Sequence, residues 1–126
     1  MKKIDIINTE VRNNNIYIIE LNNPSKRNPL SLKLLQLLQK EFDNLKKNKR
    51  IKVVILQSSG PSFSSGHDLK EVRSTSSSNK KLLNLFKICS KLMLSIRQLP
   101  QPVIACVDGL AAAAVLSFIY ATPNVN

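Results

Sequence analysis

Aromatic residues make up only 5% of this 126-residue chain, and tryptophan is absent. With a hydrophobic fraction of 43%, the core has to be built from leucine, isoleucine and valine. One domain at most fits this length, and a chain of this size buries roughly two-thirds of its unfolded surface. Glycine occurs three times, at Gly60, Gly66 and Gly109, each just beyond an expected strand. A single histidine and two distant cysteines, Cys89 and Cys106, exclude the spacing of a zinc site. Both thiols are expected to be reduced and in the core. Acidic residues are few, 8 against 19 lysines and arginines, for a net charge of +11. Such a balance attracts polyanions. No nucleic-acid-binding motif or aromatic stacking set accompanies it, so no nucleic-acid partner is expected. The longest apolar stretch, 110–121, is interrupted by Ser117 and is far short of the roughly 20 residues that span a bilayer. The opening residues lack the apolar region of a signal peptide and the Arg- and Ser-rich character of a transit peptide.

What is present alternates between strand-like and helix-like patterns. Residues 4–8 and 15–21 read as two strands joined through Asn13-Asn14-Asn15, a hairpin. Residues 22–29, with two prolines and three asparagines, form a loop. Ser31 is placed to cap a helix running to about Lys47, whose Leu35, Leu38, Phe42 and Leu45 share one face. Lys46, Lys47, Lys49 and Arg50 follow at its C-terminus, where cations favour the helix dipole. Residues 52–58 are a strand, and its continuous apolar run implies a sheet covered on both faces. Residues 74–79 are a polar low-complexity linker, expected to be mobile. A second helix covers about 80–99, with Leu82, Leu85, Phe86, Cys89, Leu92, Met93, Ile96 and Leu99 on one stripe and lysines facing away. It packs on a sheet or, as a basic amphipathic helix, lies on a membrane. Pro100 and Pro102 end it. A parallel-type strand at 103–107 turns at Asp108-Gly109, and a helix-like run begins at 111–114. This alternation means α/β.

Between the strand at 52–58 and the helix after it lies Phe63-Ser64-Ser65-Gly66-His67-Asp68-Leu69. Gly66 permits a tight turn, and Asp68 is placed to cap the helix start beyond it. Ser64-Ser65-Gly66-His67-Asp68-Leu69 resembles the signature of the crotonase, or enoyl-CoA hydratase/isomerase, family. The stretch Pro102-Val103-Ile104-Ala105-Cys106-Val107-Asp108-Gly109-Leu110-Ala111 resembles the family's next signature, at a fitting distance. The fold implied is the N-terminal part of a crotonase-like ββα spiral, a mainly parallel sheet with long amphipathic helices. Residues 1–126 would form a partial crotonase-like domain, with the two signature segments side by side at one edge of the sheet. Residues 121–123 resemble a piece that the family places a helix and a strand further on, so an intervening segment is expected to be missing.

The resemblance implies an acyl-CoA thioester as ligand and no further cofactor. The backbone N–H groups of His67 and Ala114 would form an oxyanion hole, although many members carry glycines where this chain has alanines at 111–114. Coenzyme A would meet Lys26, Arg27, Pro29, Ser64, Ser65, Gly66, His67, Asp68 and Leu69. Many members have alanine at the position of Pro29. Lys26 and Arg27 read equally as an exposed basic loop. A Ser65–His67–Asp68 relay is not expected, because triads converge from separate loops, and the His67 side chain reads as a surface group. Asp68 reads as a helix cap and Glu71 as a solvated helix residue. The glutamates that family hydratases place after the second signature have no counterpart from Gly109 to Asn126, so hydratase activity is not expected. Family members form trimers, but the trimerising part is absent here. The resemblance also implies a mitochondrial location, with a cytoplasmic one otherwise. A basic module for nucleic acid or anionic membrane, and a truncated chain with no stable function, stand as alternatives. Leu110, Val115, Leu116, Phe118, Ile119 and Tyr120 would leave an uncovered apolar patch, which implies self-association or marginal folding.

Overall fold

A computed structural model of the chain describes residues 1–75, 79–111 and 124–125. Strand β1 (Lys2–Ile4) and strand β2 (Ile7–Arg12) form one antiparallel hairpin, and β2 pairs antiparallel with β3 (Ile16–Leu21). The expected single strand over 4–8 is broken because Asp5 adopts φ 56° in a turn. Asn13 and Asn14 take φ of 54° and 64° in the second turn, a region asparagine enters more readily than most residues. From β3 onward the pairings are parallel: β3 with β4 (Val53–Ser58), β4 with β6 (Val103–Ala105), and β6 with β8 (Asn124–Val125). The sheet order is thus β1-β2-β3-β4-β6-β8.

Helix α1 (Leu32–Lys47) starts where Ser31 accepts the Leu34 N–H at 3.1 Å. It buries Leu34, Leu35, Leu38, Phe42 and Leu45 against the sheet, joining Ile7, Ile19, Leu21, Val54 and Leu56 in one core. Helix α3 (Asn79–Gln98) adds Leu85, Cys89, Leu92 and Ile96. The expected stripe is corrected at Phe86, which is 43% exposed. The short helix α2 (Leu69–Thr75) occupies the first two residues of the expected linker, and residues 76–78 lie outside the described residues. Cys89 is a buried free thiol, its pKa raised by burial. Cys106, expected in the core, lies just past β6 and is only half-buried. Among the described residues no helix is long and apolar enough to cross a membrane. The expected apolar patch over 115–120 lies outside the described residues.

Tyr17 on β3 donates its hydroxyl to Glu41 on α1, tying helix to sheet. Burial, reinforced by that bond, pushes the phenol up to about 12. A raised pKa means the folded chain keeps this proton after the unfolded chain has lost it near 10. The stabilisation is complete below pH 10 and is lost as pH rises toward 12. The difference in unfolding free energy between wild type and Tyr17→Phe, measured by denaturant titration at several pH values, should therefore shrink across pH 10–12. For this half-buried group the change is on the order of 1 kcal/mol after allowance for solvent screening.

Candidate ligand site at the signature loop

The site is built by two loops that lace together at the C-terminal ends of β3 and β4. The first leaves β3 through a 3-10 turn at Pro24–Lys26, and then Arg27 and Asn28 adopt φ of 63° and 50°. This left-handed pair turns the Asn28 side chain inward, where the residue is 1% exposed. Its carboxamide oxygen accepts the Asn23 N–H at 2.7 Å, and its nitrogen donates to the carbonyls of Ser59 and Ser62 at 2.9 and 3.1 Å. The Asn28 carbonyl in turn accepts the hydroxyl of Ser64 at 2.5 Å, and Ser64 Oγ accepts the Gly66 N–H at 3.2 Å. The Ser65 N–H donates to Arg27 O at 2.9 Å and the Leu30 N–H to Gly66 O at 2.7 Å. Asn28 is thus the hub of the site, a role that nothing in the sequence assigns to it.

The second signature joins the first through a small parallel pair, β5 (Ser62–Ser64) with β7 (Leu110–Ala111). The two segments do lie side by side, as expected, although Ala111 begins as strand rather than helix. Gly109 makes this approach possible. Its φ is +85°, and a Cβ there would overlap the Pro61 carbonyl oxygen and lie 2.9 Å from the carbonyl carbon.

Beyond the loop, Asp68 Oδ1 accepts the N–H groups of Lys70 and Glu71 at 3.0 and 3.4 Å, the capping role expected. Glu71 is corrected: its carboxylate reaches across to the Leu32 N–H at 2.7 Å, an otherwise unsatisfied donor at the start of α1. The side chain of His67 is also corrected from a free surface group. Its ring meets Phe86 of α3 edge-on, with centroids 5.5 Å apart and planes at 70°. No hydrogen bond links Ser65, His67 and Asp68 among the described residues.

Lys26, Pro29, Ser65, His67, Asp68 and Lys70 line an open cavity of about 320 Å³. Five of these six residues are among the expected ligand contacts, and Lys70 is not among them. Ser64 and Gly66 are buried and are not among the residues lining the cavity. Arg27 is exposed outside it. The Leu69 side chain and Ala114 lie outside the described residues. The His67 backbone N–H has no hydrogen-bond partner among the described residues. No cluster of three potential metal ligands occurs among them either.

The family model described as enoyl-CoA hydratase/isomerase matches residues 11–122. The chain belongs to this family. The human mitochondrial enoyl-CoA hydratase domain-containing protein 3 is 42% identical over 121 residues, covering 86% of this chain and 40% of that protein. A crystal structure of human enoyl-CoA hydratase domain-containing protein 3 superposes with a TM-score of 0.88 at 37% identity, over 96% of this chain and 47% of that one. An enoyl-CoA hydratase from Mycobacterium smegmatis gives 0.93 at 33% identity, over 97% and 47%. The chain thus spans less than half the length of these relatives and carries the N-terminal part of the crotonase fold.

Proposed function

We propose that the chain binds acyl-CoA thioesters at the cavity between the two laced loops and does not by itself hydrate enoyl-CoA. The observation that carries the reading is the N–H of His67, unbonded among the described residues, in a residue that lines a cavity with two lysines beside the β5–β7 junction. An N–H without a protein partner is available to an oxygen on which negative charge develops, and it does this whatever its side chain. Ala114 is proposed as the second donor. Lys26 and Lys70 form no ion pair among the described residues, and their charge suits the phosphates of coenzyme A. The names of the relatives favour a mitochondrial setting.

Hydration also requires a positioned acid and base. Asp68 and Glu71 are both engaged with helix N–H groups. From Gly109 to Asn126 there is no side-chain carboxylate, and Tyr120 is the sole titratable side chain. Calorimetric titration of the 126-residue chain with butyryl-CoA should show saturable binding that weakens with salt. A crotonyl-CoA hydration assay on the same sample should show no turnover in the ordinary enzymatic range of about 1–1000 per second. Absence of butyryl-CoA binding together with tight oligonucleotide binding would replace this reading with a basic nucleic-acid module. Ordinary turnover abolished by Asp68→Asn or Glu71→Gln would show that the acid has been misplaced.

A further inference from the structure

His67 lines the cavity, and its ring makes a T-shaped contact with Phe86. Nδ1 is buried and has no partner. A proton on Nδ1 would therefore be a buried donor with no acceptor, a rare and costly arrangement. The neutral ring avoids it by carrying the proton on Nε2. That nitrogen also has no partner among the described residues, and it is not among the buried unpartnered atoms, so it is open to solvent. The residues lining the cavity then carry three donors unengaged among the described residues, Nε2–H of His67 and the ammonium groups of Lys26 and Lys70. Its single carboxylate, Asp68, directs Oδ1 at the N–H groups of Lys70 and Glu71.

Resting on the proposed acyl-CoA binding, we infer that the His67 imidazole is a ligand-contacting, specificity-determining group. With Lys26 and Lys70 it holds an anionic oxygen of the ligand through Nε2–H. Two parts of an acyl-CoA supply such an oxygen, a phosphate of the coenzyme or a carboxylate on the acyl chain. The packing of Phe86 fixes the ring, so the donor is presented with little loss of side-chain freedom on binding.

Two variants separate a donor from a packing role. His67→Phe keeps an aromatic edge against Phe86 and the backbone N–H but removes the donor. His67→Gln places an amide N–H near the Nε2 position. Calorimetry would compare wild type and both variants against butyryl-CoA, butyryl-pantetheine and succinyl-pantetheine. A hydrogen bond to a charged acceptor corresponds to about tenfold in affinity or more. His67→Phe should weaken butyryl-CoA by about that factor and leave butyryl-pantetheine unchanged, with His67→Gln recovering most of the loss. That pattern assigns the oxygen to a phosphate. A loss for succinyl-pantetheine without a loss for butyryl-CoA assigns it to an acyl carboxylate. Wild-type binding unaltered in His67→Phe for all three ligands overturns the inference while leaving the proposed function standing. Failure of the wild type to bind any of the three overturns both.

Discussion

Gly109→Ala is expected to separate the two signature segments and weaken acyl-CoA binding by about tenfold or more. The new Cβ would overlap the carbonyl oxygen of Pro61, a backbone atom that cannot swing aside as a side-chain tip can. A φ of +85° adds strain for any L-residue with a Cβ. Relief requires β7 to move away from β5, which carries Leu110 and Ala111 off Ser62 and Ser64. The combined cost is about 3 kcal/mol. The six-stranded sheet does not pass through this contact, so the far-UV circular dichroism should stay close to wild type while the thermal midpoint falls. Calorimetry with butyryl-CoA alongside a melting curve measures both effects. A variant with wild-type affinity would show that the closeness of the two segments is irrelevant to the ligand.

Asn28→Ala should be comparably severe, by another route. The substitution removes three hydrogen bonds and leaves the N–H of Asn23 and the carbonyl of Ser59 without those partners in a part-buried place, while the Ser62 carbonyl keeps only the hydroxyl of Ser58 at 3.4 Å. Each unsatisfied buried group costs about 1–3 kcal/mol. Alanine also tolerates a φ of 50° less well than asparagine. About 3 kcal/mol or more is expected in total, which for a domain of this size lowers the melting midpoint by roughly 10 °C. Asn28→Asp sharpens the test. Aspartate tolerates the same backbone and still accepts from Asn23, but it turns an acceptor toward two carbonyl oxygens. It should be no better than alanine near neutral pH. If Asn28→Asp keeps wild-type stability, the carboxamide donors are not what holds the loops together.

These two positions also mark where sequence reading succeeds and stops. Helix α1 is legible because Ser31 and a leucine stripe at three- and four-residue spacing are local signals. The β4 strand is legible for a similar reason, an unbroken apolar run. Gly109 stands out as one of only three glycines, but the Pro61 carbonyl it avoids is far away in the chain and leaves no local trace. Asn28 stands in a loop rich in asparagine and proline, where nothing local separates a buried hub from an exposed turn. Its partners lie as much as 36 residues away. Glu71 looks like any solvated helix residue because its partner, Leu32, is 39 residues distant. Lys70 escapes notice because one more lysine in a chain of charge +11 carries no signal. Lys26, Pro29, Ser65, His67 and Asp68, which share a cavity, are grouped in the sequence by the resemblance alone, because composition and periodicity would not find them. The split of 4–8 into β1 and β2 is hidden because Asp5, not glycine, makes the turn.

The most direct test of the central claim is a backbone amide chemical-shift map of the ¹⁵N-labelled chain titrated with butyryl-CoA. The competing basic surface is the groove lined by Lys46, Lys49, Lys52 and Gln101. The account predicts saturable shifts at Lys26, Ser65, Gly66, His67, Asp68 and Lys70, largest at the His67 amide, and none at that groove. Shifts confined to the groove, or a His67 amide that does not move at saturation, would contradict it.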